Sequence, residues 1–297
     1  MSTPILKSQL DKFLHWIKER HSIYVKREVQ KKPKPWSDDP VMQRVFFTNP
    51  YRENDKVTVW FRENIREELR DDPAVFFATV AFRRFNSIQT GQVLLENNLH
   101  LKWDKKLAEQ AIMKMVNSTR PPGAYLSGAY MIKGGEPGRN KLNFLCEINE
   151  HIYKHRLDHV KALESCSTLQ AGHKHLARMV NVGPFIAYEW LTDLRHTYLF
   201  EDASDLRTWC SFGPGARRGL NRLIHGKPAK PLPPNFLGVM RSLLDIVEKA
   251  NPTMPPFELR EIEHSLCEFD KYMRVAEGGK PKRWYNGVAS SFKRPRA

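Results

Sequence analysis

Apolar residues recur every three to four positions along most of the chain, the spacing that places them on one face of an α-helix. The segment 57–69 is amphipathic in this way, whereas 74–85 is nearly all apolar and is predicted to lie in the core. No block shows the alternation of a strand-rich fold, so we predict an all-α protein. Further helices are predicted at 10–24, 87–95, 104–116, 142–159, 168–179, 185–195, near 206, 216–224, 236–250 and 257–275.

Proline and glycine interrupt this pattern at 31–36 and at 123–132, where a helix cannot continue throughout. We expect residues 1–278 to form one multi-helix domain, with two interlocked helical lobes as the alternative. The remaining residues, 279–297, contain basic side chains and no acidic one, so they are predicted to be a flexible, phosphate-binding tail.

The charge balance indicates that this helical protein has a polyanionic partner. Lys and Arg number 48 against 33 Asp and Glu, which gives a net charge of +15. Such an excess favours nucleic acid, because binding releases the counterions condensed on the phosphates. A merely solubilising surface is the alternative, and an anionic membrane surface is a weaker one.

The remaining composition narrows the class of protein. The four cysteines have no Cys-x-x-Cys spacing, and His173 and His175 point to different sides of a helix, so we expect neither a metal nor a cofactor. No apolar stretch is long enough for a signal core or a membrane span. We therefore expect a cytoplasmic protein of a bacterial host cell, with DNA as its partner, no membrane contact and no obligate protein partner.

A helical hairpin is predicted around residues 180–187. Asn181-Val-Gly183 forms a tight turn, and Pro184 suits the first position of the following helix. The N-terminus of that helix would offer backbone N–H groups to a DNA phosphate, which makes Asn181, Gly183 and Pro184 predicted DNA contacts. An ordinary helix–helix turn is the alternative interpretation.

This hairpin resembles the helix-hairpin-helix of the DNA glycosylase superfamily, with Asn181 in place of the first glycine. The superfamily carries a catalytic aspartate one helix later, and the resemblance places Asp202 and Asp205 there. The lysine of bifunctional members is absent, because Phe185 lies near its position. The structural alternative for Asp205 is a helix N-cap.

A second basic motif follows in Gly213-Pro-Gly-Ala-Arg-Arg-Gly-Leu-Asn-Arg222. A glycine turn before arginines at a helix N-terminus suits an anion, although a solvated basic face is the alternative. It is not a nucleotide-binding phosphate loop, since no Gly-Lys-Ser/Thr follows. The predicted DNA contacts of this motif are Gly213, Gly215, Arg217, Arg218 and Arg222.

Four blocks together resemble the α-glutamyl/putrescinyl-thymine pyrophosphorylase group and the helical domain named for hydroxymethyluracil DNA kinases. They cover nearly the whole chain and comprise 20–24 with 35–40, 47–55, 213–222 and 266–272. The resemblance implies an enzyme that handles hypermodified pyrimidines in phage DNA, in part as antiphage defence. No kinase motif is present in the sequence.

The resemblance also implies a pocket for a flipped modified base, lined by aromatic and hydrogen-bonding side chains. Core packing is the alternative for each aromatic residue. The run Glu268-Phe-Asp-Lys-Tyr272 mixes acidic, cationic and aromatic groups, which makes Asp270 and Lys271 further catalytic candidates. The predicted pocket residues are Tyr24, Asn49, Tyr51, Arg52, Asn86, Tyr130, Trp209 and Glu268.

Three functions remain open at this point. The first is a DNA glycosylase that excises a bulky 5-modified pyrimidine and leaves an abasic site, with Asp205 or Asp202 beside the sugar. The second is a transferase in which an amine displaces pyrophosphate from the 5-methylene of the base, with Arg217, Arg218 and Lys271 as the cationic pocket. The third is a DNA-binding module without catalysis. The order of hairpin and aspartate favours the glycosylase.

Overall fold

The computed structural model describes residues 4–118, 123–127 and 135–280, which contain α-helices and no β-strand. The all-α prediction is confirmed for these residues. In chain order the helices are α1 Lys7–Tyr24, α2 Pro40–Arg44, α3 Lys56–Phe61, α4 Ala74–Phe85, α5 Ile88–Glu96, α6 Lys105–Asn117, α7 Lys141–Lys154, α8 Arg156–Glu164, α9 Leu169–Leu176, α10 Pro184–Leu194, α11 Pro214–His225, α12 Phe236–Ala250 and α13 Leu259–Ala276.

The chain divides into two compact units. Unit 1 comprises the described residues up to Asp55 and those from Leu206 onward, so it contains α1, α2, α11, α12 and α13. Unit 2 comprises the described residues between Lys56 and Asp205 and contains α3 to α10. Described segments from the first and the last part of the sequence therefore belong to the same unit.

Unit 1 is built around α13, which packs against α11, α12, α1 and α2. Apolar residues on one face of α13, among them Leu266 and Phe269, are fully buried. The Phe269 ring meets Phe13 of α1 edge-on, with 5.3 Å between the ring centroids. Packing of such an apolar face, more than helix propensity, supplies most of the stability of an amphipathic helix.

Unit 2 is built around α4, whose residues from Val75 to Phe85 are all buried. Phe82 stacks on Phe61, with 4.8 Å between the ring centroids. The helix also buries Arg83, whose charge is matched by the buried carboxylate of Asp193 in α10 at 2.7 Å. The apolar run therefore predicted the central helix of this unit correctly.

Several helix boundaries differ from the predicted ones. The stretch 142–159 is not one helix, because it breaks at His155 between α7 and α8. The helix before the hairpin, α9, ends at Leu176 and not near Met179, and no α-helix forms near Leu206. The segment 57–69 starts as α3 and continues as a π-helical turn, Arg62–Arg66. Within the described residues, we find no helix that combines the length and the apolarity needed to cross a membrane.

Candidate functional site

The sequence blocks of the family resemblance come together in unit 1, although they are far apart along the chain. They meet on α13. Tyr272 Oη donates a hydrogen bond of 2.7 Å to Asp39 Oδ2, and the backbone N–H of Thr48 donates one of 3.0 Å to Glu268 Oε2. The segments of unit 1 that carry these blocks are 20–24, 35–40, 47–55, 213–222 and 266–272.

We call Thr48, His264, Glu268 and Lys271 the α13 cluster. The last three are four and three positions apart, so they share one face of the helix. His264 Nε2 lies 2.8 Å from Thr48 Oγ1, and Lys271 Nζ lies 2.6 Å from Glu268 Oε2. The Lys271 ammonium also lies 4.9 Å from the centroid of the Phe47 ring. Glu268 thus holds both the loop after α2 and the lysine in place.

The loop beside the cluster is folded around Asn49. Its backbone and side-chain N–H groups both donate to Asp55 Oδ1 at 2.9 Å, and Nδ2 also reaches the carbonyl of Asn54. Asn49 is only 2% exposed, and its Oδ1 has no hydrogen-bond donor among the described residues. Since buried acceptors are nearly always paired, this oxygen is a place where a ligand or a water molecule would donate.

Several cations surround His264. Burial lowers the pKa of His264 well below its ordinary value, and the charges of Arg260, Arg52, Lys271 and Arg20 act in the same direction. His264 is therefore neutral near pH 7. The α13 cluster thus lies near four cations, of which Lys271 is paired with Glu268.

Two carboxyl groups of unit 1 have raised pKa values. Burial raises the pKa of Asp55 to about 6, against the opposing hydrogen bonds from Asn49. Burial and the charge of Glu258 raise the pKa of Glu261 to about 7. Groups with such pKa values can exchange protons at physiological pH, and they gather at functional sites more often than elsewhere. The described residues contain no group of three or more His, Cys, Asp or Glu arranged to bind a metal ion.

The predicted base-stacking residues of unit 1 are largely packed into the protein. Tyr51 Oη donates to the carbonyl of Pro255 at 2.6 Å, and its ring lies 4.8 Å from that of Phe257. Arg52 is buried at 6% exposure, while Tyr24 and Trp209 are partly buried. Tyr51 is therefore a packing residue in this structure and does not offer a free stacking face.

Asp270 joins α13 to α11. Its carboxylate accepts from Arg218 Nε at 2.7 Å and from Arg222 Nε at 2.9 Å. Arg222 is 4% exposed and also binds both oxygens of Glu277. Asp270, predicted as catalytic, is thus committed to two arginines, and Arg222, predicted as a DNA contact, does not offer its guanidinium to solvent.

The glycines of the second basic motif serve helix packing. A Cβ on Gly215 would lie 2.3 Å from Cys267 Sγ, and one on Gly219 would lie 2.2 Å from the carbonyl oxygen of Leu266. Gly215 is therefore covered by α13 and does not approach a phosphate, contrary to its predicted role. Gly213 is the N-cap of α11, and Arg217 remains exposed on that helix.

The structure places the remaining predicted residues in unit 2, apart from Tyr130, which lies outside the described residues. The two oxygens of Asp205 accept from the backbone N–H groups of Leu169 and Gln170 at 2.6 and 3.0 Å, so this carboxylate caps α9. Asp202 is exposed. Asn86 ends α4 in the left-handed conformation and accepts from Arg83, which is a structural use.

The hairpin has part of its predicted geometry. Asn181 has a φ of 56°, Gly183 is the N-cap of α10, and Pro184 occupies the first turn. Gly183 has a φ of −84°, so its position does not require glycine for backbone reasons. The turn and the following helix are thus confirmed, while DNA contact at Asn181, Gly183 and Pro184 stays a prediction.

Sequence analysis missed Thr48 and His264. Thr48 lay within a recognised block, and His264 lies four residues before Glu268, so the shared helical face was the available signal. Glu268 and Lys271 were both predicted as site residues, one in the pocket and one as a catalytic candidate. The loop around Asn49 lies beside that pair but is more than 200 residues away in the sequence. No local sequence pattern therefore predicts the contact.

Comparison with known proteins gives the family. The model of the 5-hmdU DNA kinase helical domain matches residues 7–280. The chain belongs to this family. It is 24% identical over 304 residues to a protein of Bacillus phage SP10 named 5-hmdU DNA kinase, and the match covers 90% of this chain and 47% of the phage protein. The chain therefore spans about half the length of this relative. No solved structure matches.

The family corrects the leading hypothesis on function. The predicted glycosylase activity is wrong, because both the family and the phage relative are named for a kinase of a modified deoxyuridine, which transfers a group and does not cleave a glycosidic bond. The role predicted for Asp205 and Asp202 beside the sugar belonged to that hypothesis. The transferase alternative is closer to the family name, although it is not a kinase either.

Proposed function

We propose that the chain binds DNA that contains 5-hydroxymethyl-2′-deoxyuridine, or a phosphorylated form of it, and that unit 1 holds the modified nucleotide during group transfer at the 5-substituent. The observation that carries the proposal is the convergence of the family blocks on the α13 cluster, with Arg20, Arg52 and Arg260 near it. The family description and the name of the phage relative support the choice of substrate.

Each part of the proposed site suits one part of this substrate. The free acceptor Oδ1 of Asn49 would receive a hydrogen bond from the hydroxyl group that distinguishes the modified base from thymine. Lys271 would attract the phosphoryl oxygens, whose charge grows or moves during transfer. His264, held neutral, would orient Thr48 without adding a competing charge.

We assign the DNA contacts outside the modified nucleotide to two places. One is the exposed, basic Arg217, and the other is the hairpin at Asn181, Gly183 and Pro184. The support for the hairpin is its geometry together with its resemblance to a helix-hairpin-helix, and the N-terminus of α10 suits a phosphate. The net charge of +15 supports contact with DNA phosphates in general.

The proposal is tested by titrating the protein with labelled duplexes that differ at one position, which carries thymidine, 5-hydroxymethyl-2′-deoxyuridine or its phosphate ester. We expect the hydroxymethyl duplex to bind about fivefold more tightly than thymidine, the effect of one hydrogen bond. We expect the phosphate ester to bind more tightly still. Equal affinities for the three duplexes would overturn the proposal.

A matched pair of variants locates the recognition. Lys271→Gln removes a charge from the α13 cluster and should reduce the preference for the phosphate ester. Lys249→Gln removes the same charge from an exposed position on α12 of the same unit and should leave that preference unchanged. If both variants lose the preference equally, the charge acts at long range and the α13 cluster is not the site.

Group transfer is tested on the same duplexes by mass analysis of their nucleosides. One sample contains ATP and Mg²⁺ with the hydroxymethyl base, and the other contains the pyrophosphorylated base with an amine. Gain of a phosphoryl group supports kinase chemistry, and replacement of pyrophosphate by the amine supports the alternative transfer. If neither product forms, this chain binds the modified DNA but does not itself carry out the transfer.

A further inference from the structure

Arg84 of α4 is a cation buried in the interior of unit 2. It is 2% exposed, and its guanidinium lies 5.1 Å from the centroid of the Trp190 ring. Nε donates to Asn149 Oδ1 at 3.2 Å, and Nη1 lies 3.4 Å from the carbonyl oxygen of Asn181 in the hairpin turn. These three partners are all neutral, so none of them balances the charge.

The preceding residue shows what a balanced buried arginine looks like in the same helix. Arg83 is 1% exposed, and two of its nitrogens bind the two carboxylate oxygens of Asp193, each at 2.7 Å. Arg84 has no such carboxylate, and the stretches outside the described residues contain no Asp or Glu that would supply one. Burial lowers the pKa of Arg84 to about 10, and no charged neighbour offsets the shift.

Two donors at this position have no acceptor. Arg84 Nη2 and Asn149 Nδ2 are buried and without a hydrogen-bond partner among the described residues. Both belong to side chains that contact each other, so the unused donors lie close together. A buried cation next to unused donors is the complement of an anionic acceptor, since each group alone is costly to bury.

The hairpin adds a second source of positive potential. The carbonyl of Asn181 that Arg84 approaches lies two residues before Gly183, the N-cap of the 11-residue helix α10. A helix N-terminus carries backbone N–H groups without intrahelical acceptors and half a positive charge. Arg84 thus links the amide of Asn149 to the turn that leads into α10.

We propose that Arg84 and Asn149, with the N-terminus of α10, form a binding site for a phosphate group in unit 2. A phosphate offers several acceptor oxygens and the negative charge that this site lacks. The phosphate can belong to the DNA backbone or be free in solution. The inference extends the DNA contact proposed for the hairpin, but its test does not depend on recognition of the modified base.

The decisive variant is Asn149→Asp, which places a carboxylate beside Arg84. We expect inorganic phosphate and pyrophosphate to raise the Tm of the wild-type protein relative to chloride at equal ionic strength. In Asn149→Asp the internal carboxylate should raise the Tm without phosphate and abolish the further rise. Asn117→Asp, which adds the same charge at an exposed position of α6, should respond to phosphate as the wild type does.

Binding of an unmodified duplex distinguishes a phosphate of the DNA backbone from free phosphate. Such a duplex contains no 5-hydroxymethyl-2′-deoxyuridine, so this test is independent of base recognition. If Asn149→Asp weakens the duplex at least fivefold and free phosphate has no effect on the Tm, the ligand is a backbone phosphodiester. If the phosphate-dependent rise is lost and duplex affinity is kept, the ligand is a free phosphate. A wild-type protein that responds to neither phosphate nor DNA, or an Asn149→Asp protein that responds unchanged, overturns the inference.

A second variant keeps the inference testable if Asn149→Asp does not fold. Arg84→Lys keeps the buried charge but loses the planar fork and its donors. We expect its affinity for the ligand identified above to fall at least fivefold, and Arg241→Lys at an exposed position of α12 in unit 1 serves as its control. Unchanged affinity in a folded Arg84→Lys protein contradicts the proposed site.

Discussion

Glu268 and Asp270 are two positions apart on α13, and their carboxylates have different partners. Glu268 holds Thr48 and Lys271, which leaves the lysine partly exposed beside a buried acceptor. Asp270 is 3% exposed and neutralises Arg222 in the interior. The difference follows from the opposite faces of a helix, since side chains two positions apart do not share a face. A substitution at Asp270 should therefore affect stability before it affects recognition.

Asp270→Asn keeps the shape of the side chain and removes its charge. Arg222 would stay buried and keep Glu277 but would lose its charged bond to Asp270, and such a bond contributes roughly 1.5–3 kcal/mol. We expect a fall of that size in the free energy of unfolding, measured by chemical denaturation. Asp245→Asn at an exposed position of α12 is the control and should be close to neutral. A stable Asp270→Asn protein that loses only recognition of the modified DNA would contradict the structural role.

The pKa of Glu261 gives unit 1 a stability that depends on pH. Its ordinary value is 4.5, and burial raises it to about 7 in the folded state. The folded state thus binds the proton more tightly than the unfolded state does, so this stabilisation is complete below about pH 4.5 and is lost as the pH rises through 7. Asp55, with a pKa of about 6, contributes in the same direction at lower pH.

Glu261→Gln imitates the protonated acid at every pH and retains an acceptor for the backbone N–H of Glu258. We expect the variant to be more stable than the wild type at pH 8, by on the order of 1–3 kcal/mol, and similar to it at pH 5. The measurement is the free energy of unfolding at several pH values. Glu136→Gln, at an exposed loop position, should leave the pH dependence of the wild type intact. Parallel curves for the wild type and Glu261→Gln would contradict the raised pKa.

Residue types and spacing predicted some of this chemistry and missed the rest for a physical reason. Glu268 and Lys271 were both predicted as site residues, and a helix cap was the alternative given for Asp205, although the helix that it caps begins 36 residues earlier. The partners of Asp270 lie 52 and 48 residues away in the sequence, so no local pattern indicates that this carboxylate is already paired. For that reason Asp270 was predicted to be catalytic.

At the scale of elements, α11 and α13 approach each other closely because glycines remove the side chains between them. Gly215 and Gly219 lie on one face of α11, four residues apart, and both face α13. This approach is what lets Asp270 reach two arginines of α11. Gly215, which was predicted to approach a phosphate, approaches α13 instead.

Gly219→Ala tests this packing. The new methyl group would lie 2.2 Å from the carbonyl oxygen of Leu266, so α11 and α13 would have to move apart. The gain of about 1 kcal/mol in helix propensity is smaller than the cost of overpacking at a backbone atom, and we expect a net loss of about 1–3 kcal/mol. Gly183→Ala, where nothing lies within 4 Å, is the control and should change stability by only about 0.5 kcal/mol. Equal effects would show that α11 has room to adjust.

Helix positions were predictable where an apolar run or a capping residue marked them. The nearly apolar stretch gave α4 its correct bounds, Ala74–Phe85. The break at His155 between α7 and α8 was missed because neither proline nor glycine occurs there, and His155 leaves the helical conformation with a φ of −104° and a ψ of 13°. Packing and not local propensity determines such a break.

At the scale of the whole molecule, the family blocks and the hairpin lie in different units. The hypothesis of a glycosylase rested on the hairpin and the aspartates that follow it, all of which belong to unit 2. The α13 cluster combines the two ends of the chain, at separations of more than 200 residues. Hydrophobic periodicity carries no information on such pairings, so the family resemblance was the one sequence observation that pointed to unit 1.

The net charge of +15 belongs to the whole chain, and it predicts how salt changes DNA binding. Each phosphate contact contributes about −0.9 to the slope of log K against log salt concentration on duplex DNA. With several contacts we expect a slope steeper than about −3 for thymidine and for 5-hydroxymethyl-2′-deoxyuridine duplexes alike. The ratio of the two affinities should stay constant, because a neutral hydroxyl group and a neutral acceptor, Asn49 Oδ1, distinguish the bases and release no counterions. Titrations between low and physiological salt measure both quantities. A flat response would contradict backbone contact, and a ratio that falls with salt would mean that charge, and not the hydrogen bond at Asn49, recognises the modified base.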